Sequence, residues 1–175
     1  MEDEGNLLSR MRKIFSGEME EGEDAAEAVM DMVDEGYRQG VFLSSEAQMI
    51  RNIFAYGEKD AKSIMTHRKH MVALDGEETL ENALTFILEQ NKSRFPVYEE
   101  DIDSIIGTIH LRDAMKCYFN EQLRHIPIKQ LKEYIRPVSF IPETRSIDKL
   151  LKKMQEGKYH MAIVIDEYGQ TAGLV

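Results

Sequence analysis

Two histidines, His67 and His70, are spaced so that both could lie on one face of a helix and bind a metal ion. Only Arg68 and Lys69 lie between them, and no cysteine or carboxylate is adjacent. A metal centre needs three or four ligands of these types. The pair therefore predicts a polar surface, and we predict no metal site formed by the protein's own side chains.

For the other reactive side chains, the sequence predicts structural roles. Asp101, Asp103 and Ser104 have the spacing that starts a calcium-binding loop, but the loop's glycine and terminal glutamate are missing, so we predict a polar turn. Cys117 lies on an apolar helix face and predicts buried packing. No Ser/His/Asp or Cys/His arrangement supplies a nucleophile, and no acid is paired with a base. We predict no catalytic residues and no enzymatic activity.

The composition is typical of a soluble globular protein. Of the 175 residues, 42% are apolar and 31% are charged. No run of about 18 apolar residues predicts a membrane helix, and the first residues lack the apolar segment of a secretory signal. A single cysteine fits a reducing compartment. We therefore expect a cytoplasmic location, which includes the cytoplasmic face of a membrane.

The acidic charge is concentrated at one end of the chain. Residues 1–36 contain twelve Asp and Glu against three Arg and Lys, which accounts for nine of the ten net negative charges. The remainder is close to neutral and has no basic stripe for a phosphate backbone. We therefore predict that nucleic acid is not a partner.

The first 60 residues predict two amphipathic helices. Residues 1–44 form an acidic arm with one helix, in which apolar residues recur at helical spacing from Ala25 to Val33. Residues 45–60 form a lead-in helix. The capping pattern of Ser45 and Gln48 marks its start, and Gly57 marks its end.

From about residue 60 the chain repeats itself with an offset of 67 residues, as 74–100 aligns with 141–167. Each copy has a short apolar strand, a Thr79 or Ser146 helix cap, an amphipathic helix closed by Asn91 or Gly157, and two strands joined by an acidic turn. We therefore predict an α+β fold made of two β-α-β-β-α repeats, with the apolar positions of both repeat helices in the core. The first repeat spans residues 61–125 and the second, incomplete repeat spans 126–175.

Four stretches give this pattern a more specific meaning: AKSIMTHR (61–68), SRFPVYEEDIDSIIGTIHLRDAM (93–115), FIPETRSIDKLLKKMQ (140–155) and YHMAIVIDEYGQTAGLV (159–175). Together they resemble a tandem pair of CBS domains, or Bateman module, of the CorC/HlyC/CNNM family of magnesium and cobalt efflux proteins, which are often labelled hemolysin-like. The resemblance implies an adenine nucleotide bound between the repeats. It also implies that the second repeat is truncated, because the family continues beyond Gly173-Leu174-Val175 into a further helix.

The resemblance also implies two sets of nucleotide-binding residues. In the first, Asp113 holds the place of the ribose carboxylate, and His110 stands where the family has a hydroxyl and could bind a phosphate when protonated. The residues facing them would be Arg136, Pro137, Val138, Tyr159, His160, Met161 and Ala162. Asp113 is equally explained as a residue that caps the following helix, so both roles stay open.

The reciprocal site would use residues of the first repeat, namely Thr66, Ser93, Arg94, Phe95 and Pro96. Its carboxylate would follow Val175. The implied ligand is AMP, ADP or ATP, the last with Mg²⁺ bound through the nucleotide, and the implied role is regulation of a membrane transporter domain or an accessory C-terminal domain. A homodimer is expected. The alternative is a dimerisation or interaction module that binds no nucleotide.

Overall fold

The computed structural model of the protein describes residues 23–175. The described part divides into two compact units, with the boundary between Lys59 and Asp60. In the first unit, helix α1 (Glu23–Arg38) and helix α2 (Ser44–Glu58) pack together through Ala28, Val33 and Ala47. None of the helices in the described part is long and apolar enough to cross a membrane. The predicted start of the acidic arm lies outside the described residues.

Helix α2 starts differently from the prediction. It begins at Ser44, one residue before the predicted Ser45, and the Glu46 carboxylate accepts a hydrogen bond of 2.9 Å from the Leu43 N–H. A carboxylate in the first turn satisfies a donor that the helix cannot pair and also interacts favourably with the helix dipole. The capping interaction therefore comes from Glu46, and Ser45 and Gln48 take no part in it.

The second unit contains the repeats. The first repeat has strand β2 (Leu74–Asp75), helix α4 (Leu80–Glu89), strands β3 (Arg94–Glu99) and β4 (Asp101–His110) and helix α5 (Leu111–Tyr118). The second has strand β6 (Ser139–Pro142), helix α6 (Ile147–Gly157) and strands β7 (Ala162–Ile165) and β8 (Thr171–Leu174). The first repeat also includes α3 (Ala61–Ile64) and β1 (Thr66–His67) before β2, and the second includes β5 (Ile135–Arg136) before β6.

Strand register confirms the repeat. Leu74 of β2 lies opposite Val97 of β3 in a parallel pair, and Ile141 of β6 lies opposite Val164 of β7 in the same way. Both pairs are related by the offset of 67 residues seen in the sequence. The result is two sheets of four strands with helices packed on them, which confirms the α+β prediction.

Each sheet is completed by a short strand from outside its own repeat. β5 pairs with β4, so the first sheet has the order β2-β3-β4-β5, and β1 pairs with β8, which gives β1-β8-β7-β6. Glycine is required where these strands approach. A Cβ atom on Gly107 would lie 2.6 Å from the Arg136 carbonyl oxygen, and one on Gly173 would overlap the Thr66 carbonyl oxygen.

Each repeat has its own apolar core. The first contains Leu80, Ala83, Ile87, Phe95, Ile109 and Cys117, and the second contains Ala61, Ile141, Leu150, Ala162 and Val164. Burial of Cys117 confirms its predicted packing role.

Two features of the second repeat helix correct the predictions. Leu151, the equivalent of the buried Leu84, is 47% exposed. In the first repeat, α4 packs against α5 and its equivalent leucine is buried. Ser146 occupies the N-cap position of α6, but its side chain makes no capping hydrogen bond.

Candidate functional site

A cavity of about 310 Å³ lies between the end of the first sheet and the α6–β7 loop of the second repeat. Its volume is at the lower end of the range for small-molecule sites. Strand pairing brings its walls together, because Arg94 of β3 is opposite His110 of β4 and Thr108 of β4 is opposite Arg136 of β5. The lining residues are Arg94, Thr108, His110, Arg112, Asp113, Arg136, Pro137, Val138, Lys158, Tyr159, His160 and Met161.

Asp113 is the only carboxylate in this lining. It lies in the first turn of α5 and is 4% exposed. Lys116 Nζ is 3.3 Å from Oδ1, and Arg136 Nη2 is 3.4 Å from Oδ2. Burial alone would raise the pKa of Asp113, but these two cations outweigh it and hold the pKa below its ordinary value. A buried, ionised carboxylate therefore faces the cavity.

His110 caps α5, because its Nδ1 accepts a hydrogen bond of 3.0 Å from the Arg112 N–H. Burial lowers the pKa of His110, and the charges of Arg94, Arg112 and Arg136 lower it further against the opposing effect of Asp113. The imidazole is therefore neutral at pH 7. With Nδ1 acting as acceptor, the remaining nitrogen, Nε2, is an N–H donor, so His110 can donate a hydrogen bond to an anion without being protonated.

The cavity carries unneutralised positive charge. The side chains of Arg94, Arg112 and Lys158 make no hydrogen bond or ion pair within residues 26–175. Arg136 is already paired with Asp113. Free guanidinium and ammonium groups around a concave site favour an anionic ligand.

Lys158 has a left-handed backbone conformation, with φ 50° and ψ 35°. Gly157, predicted to close α6, is instead its last helical residue, and Lys158 takes the left-handed position that glycine usually fills. The Tyr159 ring blocks a Cβ at Gly157, since two ring carbons would lie 2.7 Å away. Gly157 therefore provides room for the tyrosine that lines the cavity.

The hydroxyl oxygen of Tyr159 is buried and has no hydrogen-bond partner in the described part of the chain. A buried hydroxyl without a partner costs about 1–3 kcal/mol. Its ring packs against the core of the second repeat, which fixes the position of the cavity wall. Val138 and Met161 add apolar surface nearby.

The cavity brings together nine of the fourteen residues named from the sequence. Arg94, assigned there to the reciprocal set, lies in this cavity with Asp113. Ala162, Phe95 and Pro96 are buried in strands and do not line it. Thr66 and Ser93 are exposed outside it, and the Ser93 carbonyl accepts a hydrogen bond from the Leu111 N–H.

Sequence reasoning missed Thr108, Arg112 and Lys158. Thr108 and Arg112 each lie two residues from His110 and could have been found from the strand-to-helix junction. No sequence pattern identifies Lys158 as a lining residue, because its position in the cavity depends on the left-handed backbone conformation at the end of α6.

A wider cleft of about 600 Å³ lies elsewhere on the second unit, lined by Glu99, Ile106, Lys129, Gln130, Lys132, Ile135 and Pro137. Lys129 Nζ is 2.6 Å from Glu77 and 2.8 Å from Glu99. These hydrogen bonds raise the pKa of Lys129, but its charge is already neutralised. The cleft has no buried carboxylate, so the first cavity is the better candidate for a charged ligand.

The remaining motifs have structural roles. Within residues 26–175, no three His, Cys, Asp or Glu side chains lie close enough to hold a metal ion. The polar turn predicted at Asp101–Ser104 is wrong, since these residues belong to β4 and the chain turns at Glu100, whose φ is 68°. Asp103 instead pairs with Arg68 and accepts a hydrogen bond from the Thr171 N–H.

Two curated proteins illustrate the similarity of the whole sequence to known ones. The magnesium and cobalt efflux protein CorC of Vibrio cholerae is 29% identical over 170 residues, which cover 97% of this chain and 56% of CorC. UPF0053 protein YugS of Bacillus subtilis is 38% identical over 144 residues, which cover 82% of this chain and 32% of YugS. The chain thus spans about a third to a half of the length of these relatives.

Solved structures give a closer match in length. The CBS domain of a bacterial CNNM/CorC family Mg²⁺ transporter has a TM-score of 0.74 and 36% identity, and the match covers 85% of this chain and 88% of that one. A structure of such a domain in complex with ATP has a TM-score of 0.68 and 40% identity over 75% of this chain and 90% of that one. The profile of the CBS domain family matches residues 61–120 and 128–175. The chain therefore belongs to the CBS domain family, as a tandem pair of the CNNM/CorC type.

Proposed function

We propose that this CBS pair is the regulatory, adenine-nucleotide-sensing module of a CorC-type magnesium and cobalt efflux protein. The observation that carries the proposal is the cavity in which the buried, ionised Asp113 lies beside unpaired cations. A related CBS domain with 40% identity has been solved in complex with ATP, which supports the same ligand class here.

The chemistry of the lining fits AMP, ADP or ATP. The Asp113 carboxylate can accept hydrogen bonds from both ribose hydroxyls. Arg94 and Arg112 can pair with phosphate oxygens, and the His110 Nε2–H can donate to one. Val138 and Met161 offer apolar surface to the adenine ring, as nucleotide sites require.

Sensing needs two arrangements that bind the nucleotide with different affinity. The cavity joins β4 and α5 of the first repeat to β5 and the α6–β7 loop of the second repeat. A ligand held by both would therefore favour one packing of the repeats over another. We propose that this change is passed to a membrane transporter domain or an accessory domain at the cytoplasmic face of the membrane, with no catalysis by the pair itself.

We propose that the repeats span residues 61–125 and 126–175. We also propose a second, reciprocal site formed by residues of the first repeat. Thr66 and Ser93 are exposed and available to a ligand, whereas Phe95 and Pro96 are buried and would contribute only backbone atoms or support. The reciprocal site is thus the less developed of the two within this chain.

Isothermal titration calorimetry with AMP and ATP tests the ligand class. We expect saturable binding with one site per chain, and Asp113→Asn should weaken it about tenfold, because the ribose loses a charged acceptor. Glu121→Gln, which removes an exposed carboxylate, is the matched control and should bind as the unmodified protein does. Absence of binding, or equal binding by the Asp113→Asn variant, would contradict the proposed site.

Exposed apolar side chains on the first repeat support a second role, dimerisation. Leu88 at the end of α4 is 56% exposed and Phe119 after α5 is 76% exposed. Burial of such side chains against a second copy is favourable. Light scattering should give about twice the 20.2 kDa chain mass, and Leu88→Glu should give monomers. Tyr168→Glu, in the β7–β8 turn, is the control. A monomeric unmodified protein would contradict this role.

A further inference from the structure

Helix α2, in the first of the two units, carries an apolar stripe that is exposed in the structure. The stripe, which we call the α2 face, consists of Met49, Ile50, Ile53 and Phe54. Met49 is 59% exposed and Ile53 is 71% exposed. The side of α2 that faces α1 is a different one, since it carries Arg51, whose Nε donates a hydrogen bond of 3.2 Å to Asp34 Oδ1. The packing of α1 on α2 therefore leaves the α2 face uncovered.

Exposed apolar side chains are concentrated in this part of the chain. Of the fourteen large apolar side chains exposed in the described part, six lie between residues 37 and 54, and the other eight are spread over residues 64–168. An exposed apolar surface of this density marks a contact with another segment or molecule. The α2 face therefore needs an occupant.

The beginning of the same chain contains a segment with a complementary sequence. Its apolar residues follow the spacing of one helix face, and they are Leu7, Leu8, Met11, Ile14 and Phe15. Its cations are Arg10, Arg12 and Lys13. Residues 5–17 contain no carboxylate, so this stretch carries three net positive charges within an otherwise acidic arm.

The helix pair carries the opposite charge. α1 and α2 together contain eight Asp and Glu against two Arg, which is six net negative charges. Both arginines already pair with carboxylates of α1, Arg38 with Glu35 and Arg51 with Asp34. The basic segment is therefore attracted to this surface, whereas a second copy of the helix pair would be repelled by it. Charge thus favours the chain's own first residues over a second copy as the occupant.

The connection is long enough for this contact. Residues 16–22 join the segment to Glu23, the first residue of α1. Seven residues span at most about 23–25 Å, whereas the axes of packed helices lie about 8–10 Å apart. In helical form, residues 7–15 would measure roughly 14 Å, which is the length of nine residues of α2. The segment can therefore reach and cover the α2 face without a change in the helix pair.

We propose that residues 7–15 bind the α2 face within the same chain, with the apolar side chains of the segment on Met49 and Ile53 and its cations beside the carboxylates of α1 and α2. This contact closes the α2 face to other molecules and makes the first residues of the chain part of the helical unit. The proposal does not depend on nucleotide binding, because the α2 face and the cavity belong to different units.

Paramagnetic broadening in NMR spectra measures this contact directly. The substitution Ser9→Cys in the 175-residue protein carries a nitroxide label into the segment. Cys117 does not take up the label, because it is buried and burial raises the pKa of its thiol to about 11. We expect strong broadening of the backbone amides of residues 46–54 on α2. In a mixture of spin-labelled protein with isotope-labelled protein that has no spin label, the same amides should stay sharp, because the contact lies within one chain.

Variants of both partners test the specificity of the contact. Ile53→Glu places a carboxylate in the α2 face and Met11→Glu places one in the segment, so each should remove most of the broadening. Gln48→Glu is the matched control, since it adds the same charge at an exposed position of α2 outside the face and should leave the broadening unchanged. Met11 lies outside α1 and α2, so a loss of broadening in Met11→Glu cannot come from unfolding of the helix pair.

Four results are distinguishable. Broadening within one chain that both glutamate variants remove supports the inference. Broadening that also appears in the mixture shows that the α2 face binds a second copy, which overturns it. Sharp amides at residues 46–54 in the spin-labelled protein show that the face has some other occupant, which also overturns it. Broadening that persists in Ile53→Glu and in Met11→Glu shows that the segment lies near α2 without binding the face, and it overturns the inference as well.

Discussion

His110 combines a structural and a ligand-facing role in one side chain. Its Nδ1 accepts the hydrogen bond that caps α5, so the cap exists only while that nitrogen is unprotonated. Arg94, Arg112 and Arg136 oppose protonation, and Asp113 favours it. The side chain is thus held neutral by its surroundings.

The cap makes stability depend on pH. The pKa of His110 is lower in the folded protein than in the unfolded chain, where it is about 6.5. As the pH falls below that value, the unfolded chain binds the proton first, so this stabilisation is complete above about pH 6.5 and is lost toward the lowered pKa. In His110→Asn, which retains a capping side chain, the Tm should fall less between pH 7.5 and pH 5 than in the unmodified protein. Tm is measured by thermal denaturation, and an equal decrease in Tm for both proteins would contradict the role of neutral His110 as the cap of α5.

At the scale of elements, the short strand β5 contributes to the cavity wall. β5 has two residues, yet it carries Arg136 to within 3.4 Å of Asp113. It can approach β4 because Gly107 has no side chain, and Gly173 has the same function where β1 approaches β8. The close approach of backbones therefore connects the topology to the site.

Gly107→Ala tests this connection. Its Cβ would lie 2.5 Å from Ile135 and 2.6 Å from the Arg136 carbonyl oxygen, so β5 must move. We expect a loss of about 1–3 kcal/mol in the free energy of unfolding, together with weaker nucleotide binding as Arg136 leaves Asp113. Gly57→Ala is the control, since a Cβ there meets nothing within 4 Å, and it should be neutral or slightly stabilising. Chemical denaturation with unchanged stability for Gly107→Ala would show that β5 is not constrained there.

Asp103 links elements of the two repeats. Its carboxylate is 3.1 Å from Arg68 Nη1 and accepts a hydrogen bond of 2.8 Å from the Thr171 N–H at the start of β8. Asp103→Ala removes both interactions and should cost about 1–3 kcal/mol, whereas Asp103→Asn keeps an acceptor for Thr171 and should cost about 1 kcal/mol or less. Urea denaturation measures both. Among the described residues, the Asp101 carboxylate accepts a hydrogen bond from the Asp103 N–H and makes no ion pair, so an equally large loss in Asp101→Ala would argue against a specific link.

On the scale of the whole molecule, the sequence predicted the tandem repeat and its strand pairing, because both depend on patterns that extend over many residues. The offset of 67 residues reappears in the strand register of Leu74 with Val97 and Ile141 with Val164, because the buried faces fix the register. The exchanged strands Thr66–His67 and Ile135–Arg136 could not be found in this way, since two residues carry no periodicity.

Part of the site could also be predicted from the repeated pattern. Asp113 and His110 follow a strand that the pattern identifies, so their place at the start of α5 could be predicted from the sequence. The ion pairs of Asp113 depend on side-chain conformations, and the position of Lys158 depends on a left-handed residue that its type does not favour. Local sequence cannot specify either of these.

The central claim is that an adenine nucleotide binds between the repeats, beside Asp113. The most direct test is a two-dimensional NMR titration of isotope-labelled protein with ATP in EDTA, followed residue by residue. We predict shifts at backbone amides 107–113 and 158–162, which surround the cavity, and none at Lys129 or Lys132 in the wider cleft. Shifts confined to the wider cleft, or no shifts at millimolar ATP, would contradict the claim.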